Sequence, residues 1–174
     1  DMTNAPGITS RADVNKALDW LEAHGYLRRE SYKASKRGRK ATFGVLASKA
    51  YEFLRVKPSY GKGGFEHKLW QDLVSKRLKK DGFKTKIEGR VKGSSKAIDV
   101  LAHSETKGYI AYELTIHFEN LVSNISQDLQ ARVSQVVVVT RDQPDLKKAQ
   151  RIVEADPTLS SQLDKVVFST MLEF

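Results

Sequence analysis

Several features common in enzymes and membrane proteins are missing from this chain. It contains no cysteine, which excludes disulfide bonds, thiol nucleophiles and thiolate metal ligands. No apolar run approaches the ~20 residues that span a bilayer, and no signal-peptide pattern opens the chain. A glycine loop followed by Lys-Ser or Lys-Thr is absent, as is a Gly-x-Ser-x-Gly nucleophile motif. We therefore expect a soluble, cytoplasmic protein that does not contact a membrane.

Acidic residues are also scarce relative to basic ones. The 174 residues include 30 Lys and Arg but 21 Asp and Glu, so the formal net charge is +9. The excess is concentrated in residues 1–65, which hold 13 basic and 6 acidic residues, whereas residues 66–174 hold 17 and 15. Such a concentrated field favours a polyanion partner, because neutralising phosphates releases their counterions. The alternative is a charge that only aids solubility.

The first third of the chain has the pattern of a helix followed by a hairpin. Thr9 or Ser10 is suited to cap a helix that ends at Gly25, and apolar residues recur at helical spacing between them. After this helix we expect a strand, a basic turn, a second strand and a short helix, over residues 26–32, 33–40, 41–46 and 48–56.

This order of elements, beginning with the segment from Ser10 to Leu27, resembles the second half of a winged helix-turn-helix. In that family the recognition helix enters the major groove, while the wing approaches the backbone or the minor groove. The resemblance implies that donors on the helix and the hairpin contact duplex DNA. The side chains expected to do so are Ser10, Arg11, Asn15, Lys16, Lys36, Arg37, Arg39 and Lys40.

A complete winged helix has two helices before its recognition helix, whereas only about eight residues precede this one. We expect an upstream region to supply them, so the chain is interpreted as part of a longer protein. Two alternatives remain: the basic turn is simply solvated, or the unit binds another protein. The predicted division is a partial winged helix over 1–57, a linker rich in glycine over 58–64 and a second domain over 65–174.

The second domain alternates helices and strands. Three helices are predicted from apolar residues at helical spacing, over residues 65–82, 118–131 and 144–155. Five strands are predicted from β-branched and alternating segments, over residues 83–87, 96–103, 109–115, 136–140 and 165–170. The resulting order is αβββαβ followed by αβ.

Two acidic residues lie inside apolar strands of this domain. Asp99 is flanked by Ile98 and Val100, and Glu113 has a similar position in the next strand. A carboxylate buried there without a partner costs on the order of several kcal/mol. Across such a hairpin the two acids can lie on adjacent strands and point to one side, where a divalent cation such as Mg²⁺ relieves their repulsion. The alternative is an edge pair that faces solvent.

The element order and these acids together resemble the restriction-endonuclease-like, or PD-(D/E)xK, nuclease superfamily. We therefore expect an α/β fold with a restriction-endonuclease-like αβββαβ core and a mixed sheet, plus a small N-terminal winged-helix segment. The resemblance implies that Asp99 and Glu113 bind Mg²⁺, which activates water and stabilises charge on the scissile phosphate. It also implies that Glu66, at the start of a helix, assists as an outer ligand or by orienting water.

The lysine of this family is expected two residues after the second acid, where the present chain has Thr115. Three outcomes are open. The amine comes from Lys96 or Lys86 on neighbouring strands; Thr115 and Gln127 orient water for slow cleavage; or the site is inactive and the fold is retained to bind DNA.

The sequence thus predicts a DNA-binding protein whose nuclease-like domain acts as a Mg²⁺-dependent endonuclease. One alternative is a catalytically inactive DNA-binding module of a larger DNA-processing or mobile-element protein. Another is a winged-helix transcription regulator whose second domain senses a ligand. A homodimer is compatible with each of these functions.

Overall fold

The chain divides into two compact units. The structure, a computed structural model, describes residues 10–33, 40–56, 63–92, 94 and 96–174. The first unit contains the described residues up to 56, and the second contains those from 63 onwards. Residues 34–39 of the basic turn and 58–62 of the predicted linker lie outside the described residues.

The first unit consists of a helix, an antiparallel two-stranded hairpin and a short helix. In chain order these are α1 (Arg11–Ala23), β1 (Leu27–Lys33), β2 (Lys40–Leu46) and α2 (Ser48–Leu54). The hydroxyl of Ser10 accepts a hydrogen bond from the backbone amide of Asp13 at 3.2 Å, so Ser10 is the N-cap of α1. Gly25, just after this helix, has φ +72°, a left-handed conformation that glycine adopts without strain.

Little apolar surface is buried in the first unit. Among its described residues, Leu27 and Ala50 are the buried apolar ones. Leu18 of α1 reaches the hairpin at Gly44, where a Cβ would lie 3.7 Å from Leu18 Cδ2. Several large apolar side chains remain exposed, namely Trp20, Phe43, Leu46, Phe53, Leu54 and Val56.

The second unit is built around a five-stranded mixed sheet. Its elements are α3 (Phe65–Lys80), β3 (Lys84–Gly89), β4 (Ile98–Ser104), β5 (Gly108–Thr115), α4 (Leu121–Gln130), β6 (Gln135–Thr140), α5 (Gln143–Glu154) and β7 (Val166–Thr170), with 3-10 turns at Ser160–Lys165 and Met171–Glu173. The strands lie in chain order across the sheet. Pairing is antiparallel from β3 to β5 and parallel from β5 to β7.

Helices cover both faces of this sheet. Ser75 of α3 shares a hydrogen bond with Thr85 of β3 at 2.8 Å, so α3 packs on the face to which Thr85 points. Thr85 pairs with Ala102, and the next residue along β4, Leu101, points to the opposite face. Leu101 belongs to the apolar cluster that contains residues of α4 and α5. The sheet is therefore sandwiched between α3 and the α4–α5 pair.

The expected α/β fold with a mixed sheet is confirmed, although several element ends differ from the prediction. The strand expected over 83–87 continues to Gly89, and the strand expected from 96 begins at Ile98. The sequence pattern missed this extension because Glu88 has a left-handed φ of +50° inside β3. Gly89 is needed there, since a Cβ would lie 2.6 Å from the Cβ of Leu101. In the described part of the chain, no helix is long and apolar enough to cross a bilayer.

Candidate active site

The two strand acids lie near each other where β4 and β5 separate. These strands pair from Val100 opposite Tyr112 to Ser104 opposite Gly108, so Asp99 and Glu113 lie just beyond the paired region. Oδ2 of Asp99 accepts a hydrogen bond from the backbone amide of Leu114 at 2.9 Å. The negative charge of Asp99 acts on Glu113, which is buried. The structure thus brings Asp99 and Glu113 together at one end of the sheet.

Lys96, just before β4, lies beside Glu113. Its Nζ is 3.9 Å from Oε2 of Glu113 and 3.1 Å from Oδ1 of Asp128. It also donates a hydrogen bond of 2.9 Å to the backbone carbonyl of Asn124. The ammonium group is therefore located between the acid of β5 and the helix α4.

Helix α4 supplies two polar side chains that the sequence interpretation did not include. The amide of Asn124 donates a hydrogen bond to Oε1 of Glu113. Asp128 is fully buried, and its close charged neighbour is Lys96. A signal for Asp128 was present, because it follows Leu121 by seven residues and Ile125 by three on the apolar stripe of α4. An acid on such a stripe needs a buried partner.

Glu113 and Asp128 have raised pKa values. Burial, followed by the negative charge of Asp99, raises the pKa of Glu113 to about 8, although Lys96 and Asn124 act to lower it. Burial also raises the pKa of Asp128 to about 6, again against the influence of Lys96. The ammonium of Lys96 therefore compensates the buried carboxylates only in part. An additional cation would favour their charged forms.

The first turn of α3 contacts this cluster through a histidine. Nε2 of His67 lies 3.1 Å from Oδ2 of Asp99. Glu66, the acid expected to assist the reaction, is instead bound by Arg141, whose Nη2 and Nε lie 2.7 and 3.1 Å from its Oε1. The residue of α3 that contacts Asp99 is thus His67. Its spacing to other residues gave no metal-ligand signal, so sequence reasoning missed it.

The residues considered in place of the lysine that the resemblance implies have defined places in the structure. Thr115 is buried opposite Thr140 of β6, and its hydroxyl has no hydrogen-bond partner among the described residues. Gln127 donates its hydrogen bond to Ser123 at 3.0 Å, so the two side chains expected to orient water are not bonded to each other. Lys86 is exposed on β3. Of the two candidate lysines, Lys96 is the one in contact with the acid cluster.

Asp99 and Glu113 offer carboxylate oxygens, which are ligands of the type that Mg²⁺ takes. Among the described residues, no group of three or more His, Asp or Glu side chains is arranged to hold a metal ion. Mg²⁺, however, is commonly held by one or two carboxylates together with water and substrate phosphates. Burial, followed by the negative charge of Asp99, raises the pKa of Glu113, and a bound cation would act in the opposite direction. The donor set is therefore adequate when a phosphate is also present.

Predicted DNA-contacting residues of the first unit lie on its surface where they are described. The exposed ones are Ser10, Arg11, Asn15, Lys16 and Lys40. Exposure leaves them accessible to a polyanion, although Ser10 also serves as the cap of α1. Outside the described residues lie Lys36, Arg37 and Arg39.

Part of the positive charge of the first unit is neutralised internally. Nη2 of Arg29 on β1 lies 2.6 Å from Oδ1 of Asp19, and its Nη1 lies 3.1 Å from Oε2 of Glu22. Both acids belong to α1, so this cluster fastens the helix to the hairpin. Arg29 is consequently less available to phosphates than the exposed Arg11 and Lys16.

Comparison with known proteins gave no assignment. A scan against protein-family models, a search of the curated proteins and a search of the solved structures each found no match for this chain.

Proposed function

We propose that this chain binds DNA and that its second unit is a restriction-endonuclease-like nuclease that cleaves phosphodiester bonds with a divalent cation. The observation that carries this proposal is the proximity of Asp99 and Glu113 where β4 and β5 separate, with Nζ of Lys96 3.9 Å from Glu113. The five-stranded mixed sheet between α3 and the α4–α5 pair is compatible with that superfamily.

The cluster contains the groups that phosphodiester hydrolysis needs. Asp99 and Glu113 would hold Mg²⁺, which when bound activates water and stabilises negative charge on the phosphate. The ammonium of Lys96 adds positive charge beside Glu113, which favours a phosphate in the same region. Hydrolysis adds the oxygen of water to phosphorus and breaks one P–O ester bond, leaving a phosphomonoester and a hydroxyl group.

The first unit is proposed to hold duplex DNA in the manner of a partial winged helix. An exposed row on α1 that contains Arg11, Asn15 and Lys16 supports this role, because these donors reach phosphates or base edges. The hairpin of β1 and β2 follows α1 directly, as a wing follows a recognition helix.

DNA binding without cleavage is the second candidate, and the environment of Asp99 favours it. Its Oδ2 already accepts the amide of Leu114 and lies 3.1 Å from His67. A carboxylate engaged in this way binds a cation less readily, since the cation must compete with these partners. Thr115 also brings no positive charge to the scissile phosphate.

A plasmid-nicking assay with Mg²⁺ and Mn²⁺ separates the two candidates. For a nuclease, we expect the wild-type chain to nick DNA and both Asp99→Asn and Glu113→Gln to lose more than about 100-fold, the upper range for losing an outer partner of a metal. The matched control is Asp72→Asn on α3, where Asp72 pairs with Lys76 in a partly exposed bridge of 2.7 Å. Salt-sensitive DNA binding with no nicking in either metal would support the inactive module instead.

A further inference from the structure

Lys96 is held in a defined place although lysine is a flexible side chain. Its side chain is 17% exposed, and its Nζ lies 3.1 Å from Oδ1 of Asp128 and 2.9 Å from the carbonyl oxygen of Asn124. A lysine at a protein surface normally extends its ammonium into water. Here two oxygen atoms of α4 hold the ammonium inside, next to Glu113.

Packing alone does not account for the acid at position 128. Asp128 is 0% exposed, and neither of its carboxylate oxygens has a hydrogen bond of good geometry among the described residues. Its charge is therefore met chiefly by the ion pair with Lys96. A buried ion pair is often no more stabilising than apolar residues of similar volume. The acid is thus better explained by what it does to Lys96 than by stability.

We propose that Asp128 is a positioning residue, which together with the carbonyl of Asn124 holds the ammonium of Lys96 beside Glu113. Lys96 thereby supplies the positive charge that Thr115 does not bring to the site. This inference rests on the proposed nuclease function, because the charge matters to a reacting phosphate. Asp128 itself acts through Lys96 and needs no contact with the substrate.

The geometry of α4 explains how one helix positions both Glu113 and Lys96. Asn124 and Asp128 are four residues apart and therefore share one face of the helix. The side chain of Asn124 bonds to Glu113, while its carbonyl and Asp128 bind Lys96. Lysine has three N–H donors. The carbonyl of Asn124 accepts one of them, so N–H donors remain for a phosphate or water. The 3.9 Å between Nζ and Glu113 is too long for a direct hydrogen bond.

A double-mutant cycle in cleavage tests this role. We expect Asp128→Asn to lower kcat by about 10-fold or more with KM nearly unchanged, in the range found for partners that orient active-site groups. Lys96→Met should lower kcat further, and the double variant should be no slower than Lys96→Met alone, because the group that Asp128 positions is then absent. Effects that multiply in the double variant would overturn the proposal, and Asp72→Asn should leave kcat unchanged.

A second measurement does not depend on cleavage. Amine acylation of the full chain, followed by mass spectrometry, should label Lys96 about threefold faster or more in Asp128→Asn than in wild type, since a released lysine is more reactive. Equal labelling in wild type, Asp128→Asn and Asp72→Asn would show that Asp128 does not hold Lys96. If Asp128→Asn does not fold, the smaller Asp128→Ser carries the same expectations. A wild type that does not nick DNA overturns the proposed function, while the labelling still decides whether Asp128 holds Lys96.

Discussion

The two units of this chain bury very different amounts of apolar surface. The first has Leu27 and Ala50 as buried apolar residues among those described, whereas the second has a sheet covered on both faces. Fully buried side chains of the second unit include Trp70, Ile98, Leu121, Ile125, Val136, Val138 and Val153. A two-stranded hairpin with little core is marginally stable by itself. We infer that the second unit is stabilised by its own core and that the first has a much smaller stability of its own.

This difference corresponds to the two kinds of chemistry proposed for the units. Buried acids such as Glu113 and Asp128 keep raised pKa values only where water is excluded and neighbours are fixed. An apolar core around α4 and the sheet provides that environment. Contacts to phosphates need only accessible positive charge, so Arg11 and Lys16 can lie on a unit with little core.

Replacing a large apolar residue with alanine should have the largest effect on stability. This effect should differ sharply between the units. Ile125 is 0% exposed and Phe53 is 74% exposed. We expect Ile125→Ala to lower the free energy of unfolding by about 3 kcal/mol, because it leaves a cavity in the core. Phe53→Ala should change it by less than about 0.5 kcal/mol, as is usual at exposed positions.

Urea titration followed by tryptophan fluorescence measures these effects separately, since Trp20 lies in the first unit and Trp70 in the second. A Trp20→Phe background leaves Trp70 to report on the second unit, and a Trp70→Phe background leaves Trp20 to report on the first. Comparable destabilisation by Ile125→Ala and Phe53→Ala would contradict the comparison.

The stability of the second unit should fall as pH rises. The pKa of Glu113 is raised to about 8 in the folded chain, against about 4.3 for an unperturbed glutamate. Between these values the unfolded state has released a proton that the folded state retains, so the free energy of unfolding decreases with pH. The slope is at most about 1.4 kcal/mol per pH unit for this group. It vanishes above about pH 8, where Glu113 is ionised in both states.

The matched variant for this pH effect is Glu113→Gln, which is neutral throughout. Relative to this variant, the wild type should lose stability steadily from about pH 5 to about pH 8. Asp128 lowers the stability of both chains in the same direction at lower pH, up to about pH 6, and so does not enter this difference. If Asp99 and Glu113 hold Mg²⁺, adding Mg²⁺ should flatten the slope. Parallel stability curves for the two chains would show that Glu113 does not titrate as described.

Neutralising surface charge should have the smallest of these effects. It tests whether the first unit contributes more to DNA binding than the second. We expect Arg11→Gln with Lys16→Gln to reduce the slope of log K against log salt by about two, one for each phosphate that is no longer neutralised. The control is Lys79→Gln with Lys80→Gln, at the exposed end of α3. That end lies about 20 Å along the helix from His67, at a rise of about 1.5 Å per residue. Equal slope changes in both variants would contradict a DNA-binding role specific to α1.

Local pattern was sufficient to predict the order of the elements. Strands with β-branched residues predicted the sheet, and acids inside apolar strands singled out Asp99 and Glu113. Lys96 was one of two lysines that the sequence left as candidates for the amine of the site. Glu66 is bound by Arg141, which lies 75 residues further along the chain. No local spacing reveals a contact of that separation.

By itself, the amino-acid sequence determined the order of helices and strands, the mixed α/β class and the concentration of positive charge in the first third. These properties depend on periodicity and composition, which act over a few neighbouring residues. Only the tertiary structure decided that His67 contacts Asp99, that Asn124 and Asp128 accompany Glu113, and that Lys96 is the lysine beside the acids. The physical reason is that burial and the distance between distant side chains arise only when α3 and α4 pack on the sheet.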